Sequence, residues 1–381
     1  MSDGGKENVV IVGGGPAGAA AACILAEAKR AVLLIERDAV PRHKVCGEFL
    51  SIEAQTYLAH LGIDLDGLGA SRISRLRLIR KRQQTEIDLP FVARGLSRRT
   101  LDEALLLQAQ SRGARLIRGR MVRSISADPL QIDTGSYDQI SAEAVFLATG
   151  KHDVRGMKRI STGTMNDLIG FKLHYRLTEP QQQALYGATE VLLFSGGYAG
   201  LQIVEQDIAN LCLVASRQRF EQVGKNWDAL LDWIEGECPH LAERLRDAEP
   251  LFERPLSIFQ IPYGFLHEPE PDEPQGLFRL GDQVGVIPSF TGEGLSIALH
   301  SGCLAASTFL AHGRASSLFH RRIRSDIHLS LRLASVLNRI VRHGAGQQAV
   351  LQVCSIWPAA MRHLTTLTRV QEASVSRALA S

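Results

Sequence analysis

Three short segments carry side chains whose types and spacing suit chemistry. The first is Gly13-x-Gly15-x-x-Gly18, which follows the β-branched run Val9 to Val12 and opens an alanine-rich stretch. Strand, tight turn and helix in that order form a dinucleotide-binding turn: Gly13 permits the bend, Gly15 lets backbone approach a pyrophosphate, and Gly18 lets the helix pack close to the strand. Pro16 and Ala17 begin the helix, whose N-terminal N–H groups face the phosphates. The next strand, Ala31 to Ile35, ends at Glu36, followed by Arg37. An acid at that distance accepts hydrogen bonds from ribose hydroxyls.

The second segment is the loop Pro41 to Ser51, with Lys44, Cys46, Gly47 and Glu48. Cys46 reads either as a redox-active thiol, with Lys44 favouring the thiolate, or as a small buried residue that fills space. Glu48 reads either as a group that positions a substrate or as a helix-start carboxylate. The third segment runs from Gly281-Asp282 through Pro288 to Gly292-Glu293-Gly294. A carboxylate at a strand end, then a glycine-rich turn into a helix, presents an acceptor followed by a positive helix terminus. His152, His174 and His300 have no carboxylate paired to them in the sequence pattern, and none is assigned as a base.

The elements that must position these groups follow from periodicity. Residues 9 to 36 form a βαβ unit, 73–79 and 85–89 a hairpin, and 98–111 a helix with Leu101, Ala104, Leu105 and Ala109 at helical spacing. The arginines of the hairpin alternate with leucines, which predicts a solvated basic face. Ala144 to Gly150 is apolar on both faces and stops at Ala148-Thr149-Gly150, as a central parallel strand does when it returns to a nucleotide. Antiparallel-type strands follow at 169–177, 189–194, 200–205 and 209–216, then a helix at 227–237 and another from Gly294 to about Leu310. Residues 1–71, 92–160 and 275–330 are expected to form one discontinuous nucleotide-binding domain, 72–91 and 161–274 a substrate domain, and 331–381 a helical C-terminal segment.

With 381 residues, 45% of them hydrophobic and 22% charged, the chain can bury a large core. A net charge of +3 gives no case for nucleic acid. Six cysteines without CxxC or Cys/His spacing argue against a disulfide framework or a zinc site, so no metal is expected. The chain has no run of eighteen apolar residues and a polar start, so neither a spanning helix nor a signal peptide is expected, and a cytoplasmic location is the default. The stretch Gln347 to Val370 mixes apolar residues with Arg362, His363 and Arg369. It reads as core packing, as a cap on the substrate pocket, or as a helix lying on a membrane.

The N-terminal fingerprint, Arg98-x-x-Leu101-Asp102, Ala148-Thr149-Gly150 and the Gly281–Gly294 segment together resemble the flavoprotein superfamily of p-hydroxybenzoate hydroxylase, geranylgeranyl reductase and the flavin-dependent halogenases, over at least residues 9 to 310. The resemblance implies an α/β protein: a Rossmann-like FAD-binding domain interleaved with a mixed or antiparallel substrate sheet, and a helical C-terminus. It implies bound FAD, with Asp282 on the ribityl chain, Arg98 at the phosphate or ribityl region, Pro288 before the second helix, and Gly292 and Gly294 against the ring. Lys44-x-Cys46-Gly47 is similar to an element of geranylgeranyl reductases, Gly47-Glu48-Phe49-Leu50 to one of halogenases. The halogenase Trp-x-Trp-x-Ile-Pro element is missing; Phe259-Gln260-Ile261-Pro262 stands in its place. Ala148 to Arg155 keeps the Val-Arg end of the element that aromatic hydroxylases use with NADPH but is one residue shorter and has Thr149 for its aspartate, which leaves NAD(P)H in a groove or a separate reductase as the source of electrons. The expected activity is hydroxylation or epoxidation of an apolar aromatic, polyketide or lipid-like molecule through a flavin C4a-hydroperoxide. Reduction of carbon–carbon double bonds is the alternative, with halogenation and non-catalytic flavin binding behind it.

Overall fold

The computed structural model describes residues 7–127, 129–135, 139–161, 164–165, 167–270, 273–357 and 366–379. Two sheets and a group of helices make up the molecule. The first sheet is built on Glu7–Val12, which pairs in parallel with Val32–Ile35 on one side and Ile140–Leu147 on the other, Val12 lying opposite both Ile35 and Leu147. Arg115–Ile117 extends it beyond Val32–Ile35, Leu277–Arg279 pairs in parallel with Ile140–Leu147, and Gln131–Asp133 and Ser124–Ser126 complete the other edge. Val9, Val10 and Ile11 are fully buried because both faces of this central strand are covered. One face carries helices Pro16–Glu27 and Gly294–His312, whose alanines and Gly302 permit close approach: a Cβ on Gly302 would lie 2.2 Å from the Ala17 carbonyl oxygen. Gly294–His312 has the length and apolar composition of a membrane-crossing helix, and it is largely buried in this core.

The second sheet runs in the order Glu249–Pro250, Leu168–Arg176, Ala209–Ser216, Gly197–Ile203, Ala188–Phe194, Ser71–Arg80, Gln83–Gly95 and Phe49–Leu50, with Leu256–Phe259 also paired to Leu168–Arg176. It is antiparallel except where Ala188–Phe194 runs parallel to Ser71–Arg80. Helix Trp227–Glu237 covers one face through Leu230 and Ile234. The hairpin departs from its expected solvated basic face at Arg77. That side chain is buried and is neutralised by Glu86 at 2.5 Å and Glu190 at 3.0 Å. Beyond the second sheet the chain forms helices Ser316–Val341 and Gly344–Ile356, then Glu372–Leu379. In Gln347 to Val370, Leu351 and Cys354 join the core, whereas Val353, Ile356 and Trp357 are exposed; Met361, Arg362, His363 and Leu364 lie outside the described residues.

Candidate functional site

A cleft of about 500 Å³ begins at the turn after the first strand and ends against the second sheet. Its walls include Gly13, Gly15, Pro16, Ala17, Glu36 and Arg37 at one end. Ala148, Thr149, Gly150, Gly281 and Asp282 follow, then Lys44, Cys46, Gly47, Glu48, Arg98, Gly292 and Gly294, and finally Cys212, Leu256, Ile258, Ile261 and Tyr263. The three fingerprint glycines differ in what they avoid. A Cβ on Gly13 would meet the Ala148 carbonyl oxygen at 2.4 Å, and one on Gly18 would meet the Gly13 carbonyl oxygen at 2.1 Å. Both are demanded by the protein's own packing, and Gly18 is not in the cleft wall. Gly15 is different: it is extended (φ −73, ψ −177), and the nearest atom to its Cβ would be Arg98 Nη2 at 3.5 Å. Nothing among the described residues requires glycine there, so the open space suits a ligand. Helix Pro16–Glu27 has no side-chain cap and no acid in its first turn, leaving its N–H groups for an anion.

Arg98 stands beside this turn with its guanidinium clamped on Asp102 by Nε at 2.7 Å and Nη2 at 2.9 Å. Glu36 is buried and accepts hydrogen bonds from the Gly14 N–H at 2.6 Å and the Asp38 N–H at 2.9 Å; each carboxylate oxygen keeps further acceptor capacity for a ribose hydroxyl. Asp282 accepts from Lys151 Nζ at 3.0 Å. Burial alone would lower the Lys151 ammonium, but the Asp282 carboxylate outweighs it and holds the pKa above its usual value. The strand that leads here ends at Leu147 rather than Gly150. Gly150 turns with φ +61, and its carbonyl accepts from Gln283 Nε2 at 2.7 Å. Pro288 is not in the cleft wall; its carbonyl accepts from Thr291 Oγ1 at 3.0 Å, which shapes the turn that carries Gly292. The donor set, the uncapped helix and the vacant Cβ position at Gly15 fit a dinucleotide.

The loop from Lys44 to Ser51 departs from expectation twice. Lys44 pairs with Asp102 at 3.1 Å, so the cation set against Cys46 is Arg98; burial works against its charge, but Asp102 and then Cys46 outweigh it and hold its pKa above the usual value. The Cys46 sulfur accepts the Glu48 N–H at 3.3 Å and closes a tight turn. Glu48 starts no helix. It adopts φ +60, is fully buried, and reaches across to strand Leu168–Arg176. There its Oε1 accepts from Lys172 Nζ and from the Arg98 N–H at 2.7 Å, and its Oε2 pairs with His174 Nε2 at 2.8 Å. Burial opposes ionisation, yet Lys172 and His174 hold this carboxyl below its usual range. His174 therefore does have a paired carboxylate, as does His300, whose Nε2 lies 3.1 Å from Asp326 and whose Nδ1 lies 2.6 Å from the Tyr57 hydroxyl. His152 lines the cleft beside Arg37, at 3.2 Å from its guanidinium.

His43, Glu48 and His174 bring three possible ligand atoms within 4.8 Å of one another, and so do His267, Glu273 and His320. In each group a protein cation already holds the carboxylate: Lys172 on Glu48, and Arg279 on Glu273 at 2.9 Å.

Sequence reasoning missed three features of the site. Tyr198 and Tyr263 converge on the Ser289 hydroxyl, the former at 2.6 Å, and burial raises both phenols. Lys151 was read only as part of a degenerate motif. Glu293, inside the Gly292–Gly294 motif, is fully buried at the start of helix Gly294–His312, with the Ser51 and Ser296 hydroxyls beside its carboxylate and Arg369 Nη2 3.9 Å from Oε1. Burial pushes its pKa up to about 8, with Glu53 adding to the rise and Arg369 opposing it. A charged residue between two glycines at the start of an apolar helix was the available signal.

Searched against solved structures, the chain aligns with a flavin-dependent brominase, Bmp2, at TM-score 0.77 and 19% identity, over 94% of this chain and 93% of that one. The chain has the fold of the FAD-dependent halogenase and geranylgeranyl-reductase-like superfamily. The halogenase PltM, in a structure with phloroglucinol and FAD, superimposes with TM-score 0.73 at 15% identity, over 98% of this chain and 90% of that one. A geranylgeranyl bacteriochlorophyll reductase-like protein from Thermoplasma acidophilum gives 0.71 at 18% identity, over 98% and 96%. The family model of tryptophan halogenase matches residues 8–71, the segment that holds the glycine turn, Glu36 and the Lys44–Ser51 loop. No curated protein matches by sequence.

Proposed function

We propose that this protein binds one FAD in the cleft and is a flavin monooxygenase that hydroxylates or epoxidises an apolar, electron-rich small molecule. The observation that carries this reading is the continuity of the cleft, from a phosphate-binding turn to a pocket walled by Leu256, Ile258, Ile261 and Tyr263. The backbone N–H groups of Gly15 and Ala17, with Arg98, would hold the pyrophosphate, Glu36 the ribose, and Asp282 the ribityl chain. The N-terminus of helix Gly294–His312 would stabilise negative charge on the ring. When bound and reduced, FAD supplies the electrons for oxygen chemistry. The chain's part is to place the substrate on the Leu256–Ile261 side, keep water out, and offer the Tyr263 and Ser289 hydroxyls, the latter held by Tyr198, to a polar substituent. Phloroglucinol in PltM makes a hydroxylated aromatic the first substrate class to try. Electrons would come from NAD(P)H or from a separate reductase.

Halogenation is the second reading, favoured by the family-model match and the likeness to Bmp2 and PltM. The stretch in place of the Trp-x-Trp-x-Ile-Pro element supplies only Ile261 to the cleft, while Phe259 is exposed. Double-bond reduction is the third, on the strength of Lys44-x-Cys46-Gly47.

The test is to reduce the holoenzyme without oxygen and mix it with oxygenated buffer containing phloroglucinol or an alkenyl-substituted phenol, with and without bromide, and analyse products by mass. Gain of one oxygen atom is the expected result. Bromide incorporation would move the assignment to halogenation, and saturation of an alkenyl side chain to reduction. Reoxidation of the flavin with every substrate unchanged would overturn the proposal.

A further inference from the structure

Helix Ser316–Val341 is about 39 Å long at 1.5 Å per residue. It buries Phe319, Ile323, Ile327, Leu331 and Ala334 against the core. Its outer face carries Arg321, Arg322, Arg332 and Arg339, all exposed and without a carboxylate partner among the described residues. Between them stand exposed Leu329, Val336 and Ile340. The next helix, Gly344–Ile356, packs against it and exposes Val353, Ile356 at 83% and, at its end, Trp357 at 61%. No aspartate or glutamate occurs between Ile327 and Gln371.

Apolar side chains interleaved with unpaired arginines on one helical face, with an exposed tryptophan at the end, are the composition of a helix that lies in a lipid headgroup layer. We propose that the outer face of Ser316–Val341 and Gly344–Ile356 seats the protein on an anionic lipid bilayer. Charge selects this occupant. A second copy would set four unpaired arginines against four more, and nucleic acid would leave Leu329, Val336, Ile356 and Trp357 without an apolar partner. The inner side of the same region packs toward the cleft: Leu351 and Cys354 belong to the cluster of Tyr198, Ile261, Tyr263 and Val286. The bilayer would thus lie directly behind the apolar end of the substrate pocket. The proposal concerns docking alone and stands whichever reaction the cleft performs.

The experiment is co-sedimentation of the full-length, flavin-loaded protein with vesicles of phosphatidylcholine alone or with one third phosphatidylglycerol. Retention on the anionic vesicles, little on the neutral ones, and release in roughly 0.5 M salt are expected. Each arginine near an anionic surface changes partitioning about fivefold, so Arg332→Gln with Arg339→Gln should weaken retention about 25-fold. Ile356→Ser with Trp357→Ser should weaken it as well, and both variants should keep their flavin, which shows that they are folded. Equal retention of parent and arginine variant, or no retention of either, overturns the proposal. So does a dimer that forms without vesicles and is dissolved by these substitutions, since the face would then belong to a second copy.

Discussion

Replacing Gly15 by alanine separates a ligand-binding turn from one that merely folds. The residue is extended at φ −73, where alanine is unstrained, and the new Cβ would touch nothing closer than Arg98 Nη2 at 3.5 Å. Reduced freedom of the unfolded chain should stabilise the variant by about 0.4–1 kcal/mol. Alanine is a poorer N-cap than glycine, and that loss is on the order of 0.5–1 kcal/mol. The flavin-free protein should therefore melt within about 1 kcal/mol of the parent. The same methyl group would stand where a pyrophosphate oxygen meets backbone N–H. Losing one hydrogen bond to a charged group costs about 1.5–3 kcal/mol, or roughly 10- to 150-fold in affinity. Gly18→Ala is the contrast: its Cβ would lie 2.1 Å from the Gly13 carbonyl oxygen, and overpacking of that kind costs about 1–3 kcal/mol with or without ligand. Fluorescence titration with FAD and thermal melts of the flavin-free proteins read both effects. A Gly15→Ala variant that bound FAD as well as the parent, or that lost stability as Gly18→Ala does, would refute the assignment of the turn.

Three other substitutions probe the buried charges. Glu48→Gln should destabilise by about 3–5 kcal/mol in urea unfolding, because Lys172 is left as a buried, uncompensated charge; the double variant with Lys172→Met should recover part of that loss, and additive losses would contradict the pairing. Glu293 has a folded pKa of about 8, above its unfolded value, so it weakens the fold as pH rises through the interval from about 4.5 to about 8. Glu293→Gln should accordingly raise the melting temperature more at about pH 9 than at about pH 5, and the opposite order would contradict the burial. Glu190, tied to His240 and Arg244, and Glu273, tied to His267, are both lowered to about 2. Their stabilisation is present above the unfolded pKa near 4.5 and is lost as pH falls toward 2, on the order of 3 kcal/mol for buried Glu190. Glu190→Gln should flatten the acid limb of the stability curve, and an unchanged limb would argue against its ion pairs.

Much of the architecture was legible because it is local. The glycine turn, the strand at Ala209–Ser216 and the helix at Trp227–Glu237 are set by short-range periodicity and turn chemistry, and they occur where the sequence places them. The dinucleotide end of the cleft was legible for the same reason, since turn, helix and terminal acid lie within one βαβ unit. What the sequence hid is non-local. Glu48 looks like the start of a helix until Lys172 and His174, more than a hundred residues away, are brought beneath it by the second sheet. Arg77 looks solvated until Glu190 pairs with it from the neighbouring strand. Lys44 looks like the partner of Cys46 until helix Arg98–Ser111 places Asp102 within 3.1 Å of it. In each case an ionic contact across elements decided the side chain's role, and no pattern along the chain records such contacts.

The flavin content of the purified protein measures directly whether the cleft holds FAD. Protein reconstituted with excess FAD, washed and then denatured should release one FAD per chain, and the Gly15→Ala variant treated alongside should release far less. Parent protein that retains no flavin, or that retains FAD and the Gly15→Ala variant's share equally, would contradict the central claim.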